Sequence, residues 1–155
     1  RDIMQSSADI GVTVDHDYWD YWQARLDNPQ EDMESLVVDN DGKIIELGDT
    51  NCGRDKAQVR YVGLLKFSTA GVEALKKVYH AQRSQYYDQE VPWLRSKSFR
   101  KGYMTCMLQA LIHAGYRVDP IYISRGWMEF DTVEDYERGN EWSRNGSLNR
   151  FIELT

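Results

Sequence analysis

The sequence is poor in residues that hold a fold together through covalent or metal links. Its two cysteines, Cys52 and Cys106, lie far apart and without the spacing of a zinc site. The three histidines are scattered along the chain. We therefore expect neither a disulfide framework nor a structural zinc site, and the cytoplasm is the predicted location.

Long apolar runs and excess positive charge are also missing. No run approaches the ~20 apolar residues that cross a bilayer, and no signal peptide is visible, so no membrane partner is expected. Lys and Arg number 19 against 25 Asp and Glu, a net charge of −6, which does not favour binding to nucleic acid. The 155 residues, 41% hydrophobic and 28% charged, have the composition of a globular chain that can bury a core.

Apolar segments of strand length alternate with amphipathic segments of helix length. The predicted strands are residues 10–14, 60–67 and 116–123, and the predicted helices are residues 17–26, a helix beginning at Ser68 or Thr69, residues 102–113 and a tail helix at 147–154. Residues 36–47 are typical of a β-hairpin, because Asp41-Gly42 supplies the positive φ angles of such a turn. We expect an α/β fold with a mixed, mostly parallel sheet flanked by helices, in a single domain of residues 1–155 or a portion of one.

The stretch Gly126–Tyr136 is predicted to run from a short strand into a helix. Alternate side chains of a strand share a face. Met128 and Phe130 are therefore expected to be buried behind an opposite face that consists of Trp127, Glu129 and Asp131.

The helix of this stretch is predicted to begin with a capping box between Thr132 and Asp135. Glu129 and Asp131 would then lie at the carboxyl end of a strand, where open α/β sheets place their ligand sites. Two carboxylates at such a position suit Mg²⁺. The alternative is that they form a solvated edge and an additional helix cap.

The segment GWMEFDTVEDYERG, residues 126–139, resembles the terminal motif of nucleotidyltransferases of the phosphocholine cytidylyltransferase type. Relatives of these enzymes include nucleotidyltransferase domains associated with phosphonate metabolism. Other segments fall in the family's order and spacing, and together they cover nearly the whole chain: residues 14–19, 28–35, 41–48, 61–68 and 103–109. The resemblance implies a nucleotidyltransferase, Rossmann-like fold.

The family's nucleotide-binding half opens with a strand and a glycine-rich loop that binds the triphosphate through backbone amides. Neither glycine-containing stretch of this chain, at residues 49–54 and 144–147, follows an apolar strand and opens a helix. The sequence also begins at Arg1. The resemblance therefore implies the C-terminal portion of a longer enzyme, inactive alone and paired with its missing N-terminal half or with a second copy.

The implied reaction is transfer of CMP from CTP to a small phosphorylated or phosphonylated alcohol or amine, with Mg²⁺ as cofactor. Asp131 would be the catalytic metal ligand supplied by this portion, and Glu129 would help to bind the metal or position the acceptor. A sugar-phosphate nucleotidyltransferase is the alternative within this class. A non-catalytic binding or assembly module is the alternative from another class.

Aromatic faces and a carboxylate bind a quaternary ammonium or an amine, since the cation meets the negative face of a ring. Glu129 would be the counter-charge of such an acceptor cage, and its candidate rings are Trp127, Tyr103 and Trp19. Packing in the hydrophobic core is the competing role of each ring.

Charged candidates for substrate binding lie before two predicted helices. Asp15 would face the same cleft as Asp131 or act as a helix cap. Arg100 and Lys101 would meet the acceptor's phosphate or belong to a charged loop. Cys106 stands where many relatives carry an aspartate, which implies an acceptor other than an aminoalkyl or choline phosphate; as a thiol it is expected to be buried and inert.

Overall fold

The computed structural model describes residues 2–152, which fold as a mixed α/β structure with a small sheet flanked by helices. The strands are β1 (Ile10–Asp15), β2 (Leu36–Val38), β3 (Ile44–Leu47), β4 (Arg60–Phe67) and β5 (Asp119–Ile123). The helices are α1 (Asp2–Gln5), α2 (Trp19–Arg25), α3 (Thr69–Tyr86), α4 (Met104–His113) and α5 (Val133–Asn145), with 3₁₀ turns at Phe99–Lys101 and Ser147–Arg150.

The main sheet has the order β4-β1-β5, and the prediction that it is mostly parallel is wrong. Strand β1 is parallel to β5 but antiparallel to β4. An alternating pattern of elements does not set the direction of a strand, and mixed sheets are common. The register places Asp15 beside both Arg60 and Ile123, so the ends of β1 and β5 meet the start of β4 at one edge of the sheet.

The predicted hairpin forms a separate two-stranded sheet of β2 and β3, and Gly42 in its turn has a φ of 73°. Gln109 of α4 binds the hairpin to the core, because its Oε1 accepts a hydrogen bond of 3.0 Å from the amide of Leu47. The main hydrophobic core lies between the sheet, the hairpin, α3 and α4, and its most deeply buried side chains include Val12, Val14, Leu108, Leu111 and Val118.

A second, aromatic cluster joins α2 to the chain after β5. Its buried members are Tyr18, Tyr21, Trp22 and Phe151, and partly buried residues that pack on them include Trp127, Met128 and Trp142. Ring pairs such as Tyr21 with Trp127, whose centroids lie 5.5 Å apart, have the edge-to-face geometry that aromatic side chains favour. This cluster fixes the position of residues 126–131 against α2.

Helix starts followed the sequence in two cases and departed from it in a third. The Ser68 side chain caps α3 by accepting from the amide of Gly71, and Thr132 caps α5. Helix α2 begins at Trp19, later than predicted, and its N-cap residue Tyr18 makes no side-chain cap bond. The carboxylate of Asp17, before it, binds Arg125, with Nε and Oδ2 2.6 Å apart.

The last predicted elements were shorter in the structure. Strand β5 begins at Asp119 rather than at residue 116, and the tail is a 3₁₀ turn at Ser147–Arg150. The end of the predicted tail helix, residues 153–154, lies outside the described residues. Within residues 2–152, no helix combines the length and the apolar character needed to cross a membrane.

Candidate functional site

Residues 126–131 are irregular chain, so the prediction of a strand here is wrong. Strand β5 ends at Ile123, and Arg125 and Gly126 then take positive φ angles of 56° and 83° that turn the chain away from the sheet. Met128 is partly buried in the aromatic cluster, whereas Phe130 is 52% exposed and not buried as expected.

Tyr21 supports this segment in place of a neighbouring strand. Its hydroxyl donates to the carbonyl of Glu129 at 3.3 Å and accepts from the amide of the same residue at 3.1 Å. Burial raises the pKa of the Tyr21 hydroxyl, against the opposing effect of its bond to the Glu129 backbone.

The predicted capping box places Asp131 at the start of α5. Thr132 Oγ1 accepts from the amide of Asp135 at 3.1 Å, and Asp135 Oδ2 accepts from the amides of Thr132 at 3.1 Å and Asp131 at 2.9 Å. Three backbone donors near the helix start are thereby satisfied, which fixes the main chain at Asp131.

Arg25, the last residue of α2, binds three carboxylates of this segment and of the first turn of α5. Its Nε and one terminal nitrogen each lie 2.8 Å from an oxygen of Asp135, and that same nitrogen lies 2.7 Å from Asp131 Oδ2. The other terminal nitrogen donates to Glu129 Oε1. Glu129 and Asp131 therefore lie on one side of the segment, although the segment is not a strand.

The electrostatics of this group are dominated by Arg25. Its hydrogen bonds lower the pKa of Asp135 well below the ordinary range, against the effect of burial. Burial raises the pKa of Glu129, and Arg60 and Arg25 oppose that rise. Burial alone would lower the pKa of Arg25, but Asp135, Asp131 and Glu129 outweigh it and raise that pKa. We call these three carboxylates, together with Arg25 and Arg60, the carboxylate cluster.

Arg60 is the second cation of the carboxylate cluster, and Trp22 lies with both. The guanidinium carbons of Arg25 and Arg60 lie 4.9 Å and 4.0 Å from the centroid of the Trp22 ring. Arg60 also approaches Glu129 Oε1 and Asp32 Oδ2, at 3.6 Å each. Arg25, Arg60 and Trp22 were not predicted as site residues from the sequence, where the one local signal was a basic residue at the end of an aromatic helix.

The carboxylates do not form a metal centre by themselves. Across the described part of the chain, no group of three or more histidine, cysteine or acidic side chains is arranged to hold a metal ion. The Asp131 side chain is 67% exposed, and within residues 2–152 only its Oδ2 is hydrogen-bonded. Glu129 Oε1 faces two guanidinium groups, which disfavour a cation there. Asp131 thus fits a single metal ligand, and Glu129 fits this role less well.

Asp15 and Trp127 bind each other rather than face a cleft. Trp127 Nε1 donates to Asp15 Oδ2 at 2.7 Å, and Asp15 Oδ1 accepts from the amides of Asp17 at 2.8 Å and Arg125 at 3.2 Å. Asp15 is only 1% exposed. The pair fixes the start of residues 126–131 to the end of β1.

The three rings of the predicted cage are not brought together. Trp127 packs on Tyr21, and Trp19 lies under the guanidinium group of Arg54, whose carbon is 3.6 Å from the ring centroid. Tyr103 is exposed at the start of α4, in another part of the fold.

Tyr103 borders two cavities. One, of about 640 Å³, is largely aromatic and contains Arg100, which binds Asp88 at 3.2 Å and lies over the Tyr87 ring. Lys101 is exposed and borders neither cavity. We call the other, of about 520 Å³, the polar cavity; it is lined by Glu34, Gly48, Asp49, Thr50, Arg95, Tyr103, Thr105 and Cys106.

The polar cavity carries both signs of charge. Arg95 lies 4.0 Å from Asp49 and 3.6 Å from Glu46, and Cys106 is buried in the wall. Gly48 packs closely against Thr105 in this wall, because an added Cβ would lie 2.8 Å from the Thr105 side chain, and its φ of 83° favours glycine. The cavity can hold a small ligand that has an anionic and a neutral or cationic polar group.

No protein-family model matches the chain. Over 136 residues the chain is 32% identical to CTP:phosphoglutamine cytidylyltransferase of Campylobacter jejuni, an alignment that covers 87% of this chain and 51% of that protein. The chain therefore spans about half the length of this curated relative. The similarity supports a cytidylyltransferase-like relationship for the chain.

Proposed function

We propose that this chain is the acceptor-binding and metal-completing portion of a nucleotidyltransferase that transfers CMP from CTP to a small phosphorylated or phosphonylated acceptor. The similarity to CTP:phosphoglutamine cytidylyltransferase favours the nucleotide donor and the class of reaction. The observation that carries the site is the exposed carboxylate of Asp131, held at the start of α5 beside a buried arginine.

Mg²⁺ would neutralise the phosphate charge in this reaction, and it takes one or two carboxylates together with phosphate oxygens and water. Asp131 fits as the carboxylate from this chain, because one of its oxygens is free within residues 2–152. Three carboxylates against two guanidinium groups leave the carboxylate cluster with one formal negative charge. We assign Glu129 to holding the segment in place, through its bonds to Arg25 and Tyr21, rather than to the metal.

The polar cavity is the proposed acceptor site. Asp32 contacts Arg60 of the carboxylate cluster, and Glu34 lines the polar cavity. Because two residues of chain span at most about 7 Å, the segment 32–34 links the cavity closely to the cluster. The relative's name identifies its acceptor as phosphoglutamine, so an acceptor with a phosphate and a neutral amide is favoured.

Within this cavity we assign the acceptor's phosphate to Arg95 and its apolar part to Tyr103. The roles predicted for Arg100 and Lys101 are less favoured, because the structure places neither of them in the polar cavity. Trp19 and Trp127 are assigned to support of the site through their packing and hydrogen bonds.

We infer that the chain acts with a partner that binds the triphosphate, because no glycine-rich phosphate loop opens a helix in this sequence. That partner is an N-terminal nucleotide-binding half or a second copy of the chain. Both cysteines are free thiols, as a reducing compartment would keep them, and we place the protein in the cytoplasm.

Pyrophosphate release from CTP tests the proposal. It would be measured with Mg²⁺ and phosphorylated amides, amines, alcohols or sugars, for this chain and for the polypeptide encoded by the complete reading frame that contains it. We expect the complete polypeptide to turn over CTP. We expect the chain to do so only when it is joined to its partner. Preference for a sugar phosphate would favour the alternative enzyme, and absence of transfer with every acceptor would favour a binding module.

A further inference from the structure

Arg25 binds three acidic side chains, although one of them would be enough to satisfy a buried guanidinium group. Its side chain is 4% exposed, and the two hydrogen bonds to Asp135 already form the forked pair that a buried guanidinium needs. Asp131 is largely exposed and would be hydrated without Arg25. An ion pair with an exposed carboxylate adds little stability. The contact between Arg25 and Asp131 therefore acts mainly on the orientation of the Asp131 side chain.

The guanidinium group of Arg25 is itself fixed from several sides. It lies over the ring of Trp22, which is completely buried, and it is bonded to Asp135. Asp135 is fixed in turn by the backbone amides of Asp131 and Thr132. A side chain held in this way is suited to orient a neighbouring ligand.

We propose that Arg25 is a positioning residue that restricts the Asp131 carboxylate to one orientation and leaves its second oxygen for the metal of the transfer site. This inference rests on the proposed function. Arg25 does not touch the substrate in this scheme; it acts through Asp131, and its bond to Glu129 holds the rest of the segment in place.

The orientation can be measured without any turnover. Three-bond NMR couplings from the Asp131 Cγ to its backbone nitrogen and carbonyl carbon report the χ1 rotamer. A single rotamer is expected in the parent protein and averaging over several rotamers in Arg25→Lys, because an ammonium group keeps the charge but not the fork. Arg138→Gln is the matched control, since Arg138 joins the same two helices through the Ala24 carbonyl without touching the carboxylates.

A variant that lacks Arg25 is at risk of unfolding because it leaves acidic groups together. Arg25→Met combined with Asp135→Asn removes one charge of each sign, and it should keep the amide signals of the folded chain while Asp131 averages. An averaged Asp131 in the parent, or a single rotamer in both Arg25→Lys and the double variant, would overturn the proposal.

The transfer assay separates a positioning role from a purely structural one. Arg25→Lys should raise the half-saturating Mg²⁺ concentration or lower kcat by about 10- to 100-fold, as is usual for residues that orient a metal ligand. The KM for the acceptor should change by less than about 3-fold on the same grounds. If Asp131→Asn keeps full activity, the proposed function itself fails; if Asp131→Asn is impaired and Arg25→Lys is not, only the role of Arg25 fails.

Discussion

Arg25 and Asp135 form a forked ion pair across 110 residues of sequence, with Nε to Oδ1 and the terminal nitrogen to Oδ2 both at 2.8 Å. The pair joins the end of α2 to the first turn of α5. It also connects the capping box to the exposed carboxylate of Asp131. The helix start, the ion pair and the candidate metal ligand therefore belong to one hydrogen-bonded network.

Asp135→Asn should lower the free energy of unfolding by about 2–4 kcal/mol, because it removes the forked partner of a buried guanidinium and weakens the capping box. Urea denaturation followed by circular dichroism measures this change. The control is Glu134→Gln, which alters an exposed acid of the same helical turn. Equal stability of the two variants would contradict a structural role of the ion pair.

Asp131→Asn in the complete polypeptide should lower turnover by several orders of magnitude, on the scale of losing ~3–4 kcal/mol or more of transition-state stabilisation. Steady-state pyrophosphate release provides the measurement. Glu137→Gln, on the exposed side of α5, should behave like the parent. Activity of Asp131→Asn within a few-fold of the parent would return Asp131 to the role of a helix-start residue.

The aromatic cluster should lose stability at alkaline pH. Burial raises the pKa of Tyr18 and of Tyr21 above the ordinary value, so the folded chain keeps both protons at pH values where the unfolded chain has lost them. The free energy of unfolding should therefore not depend on these groups below about pH 10 and should fall as the pH rises above it.

Tyr21→Phe should reduce this alkaline dependence, and it should cost about 1 kcal/mol near neutral pH through its lost hydrogen bonds. Urea unfolding between roughly pH 7 and 11 tests both effects. Tyr103→Phe, at an exposed position, should keep the full dependence. A parental slope in Tyr21→Phe would show that other groups govern alkaline unfolding.

The isolated chain should associate through a sheet edge. Within residues 2–152, β4 and β5 each have a single neighbouring strand, and each edge strand carries an exposed apolar side chain, Leu64 at 53% and Tyr122 at 49%. Unpaired edges with apolar groups are templates for pairing with another chain. Analytical ultracentrifugation at micromolar concentration should detect a dimer or larger species.

Leu64→Lys should shift this equilibrium toward monomer, because a charged side chain blocks edge pairing. Val133→Lys places the same charge on an exposed residue of α5, away from the β4 edge, and should have little effect. A parent chain that remains monomeric at all accessible concentrations would contradict association through an edge.

Features set by neighbouring residues were predictable from the sequence. The turn at Asp41-Gly42, the Ser68 cap and the capping box of Thr132 and Asp135 all depend on groups within a few residues of each other. The strands and helices that these signals delimit were therefore predicted with small errors at their ends.

Tertiary structure alone decided the direction of β4, the exposure of Phe130 and the partners of the acidic side chains. The positive φ angle of Arg125 turns the chain away from the sheet just before residues 126–131, which were expected to form a strand. No local sequence pattern marks such an angle in a residue other than glycine. The sequence by itself determined that Glu129, Asp131 and Asp135 stand together near a helix start. Only the folded chain brings Arg25 to them, across 104 to 110 residues, because that contact depends on how α2 and α5 pack around Tyr21, Trp22 and Trp142.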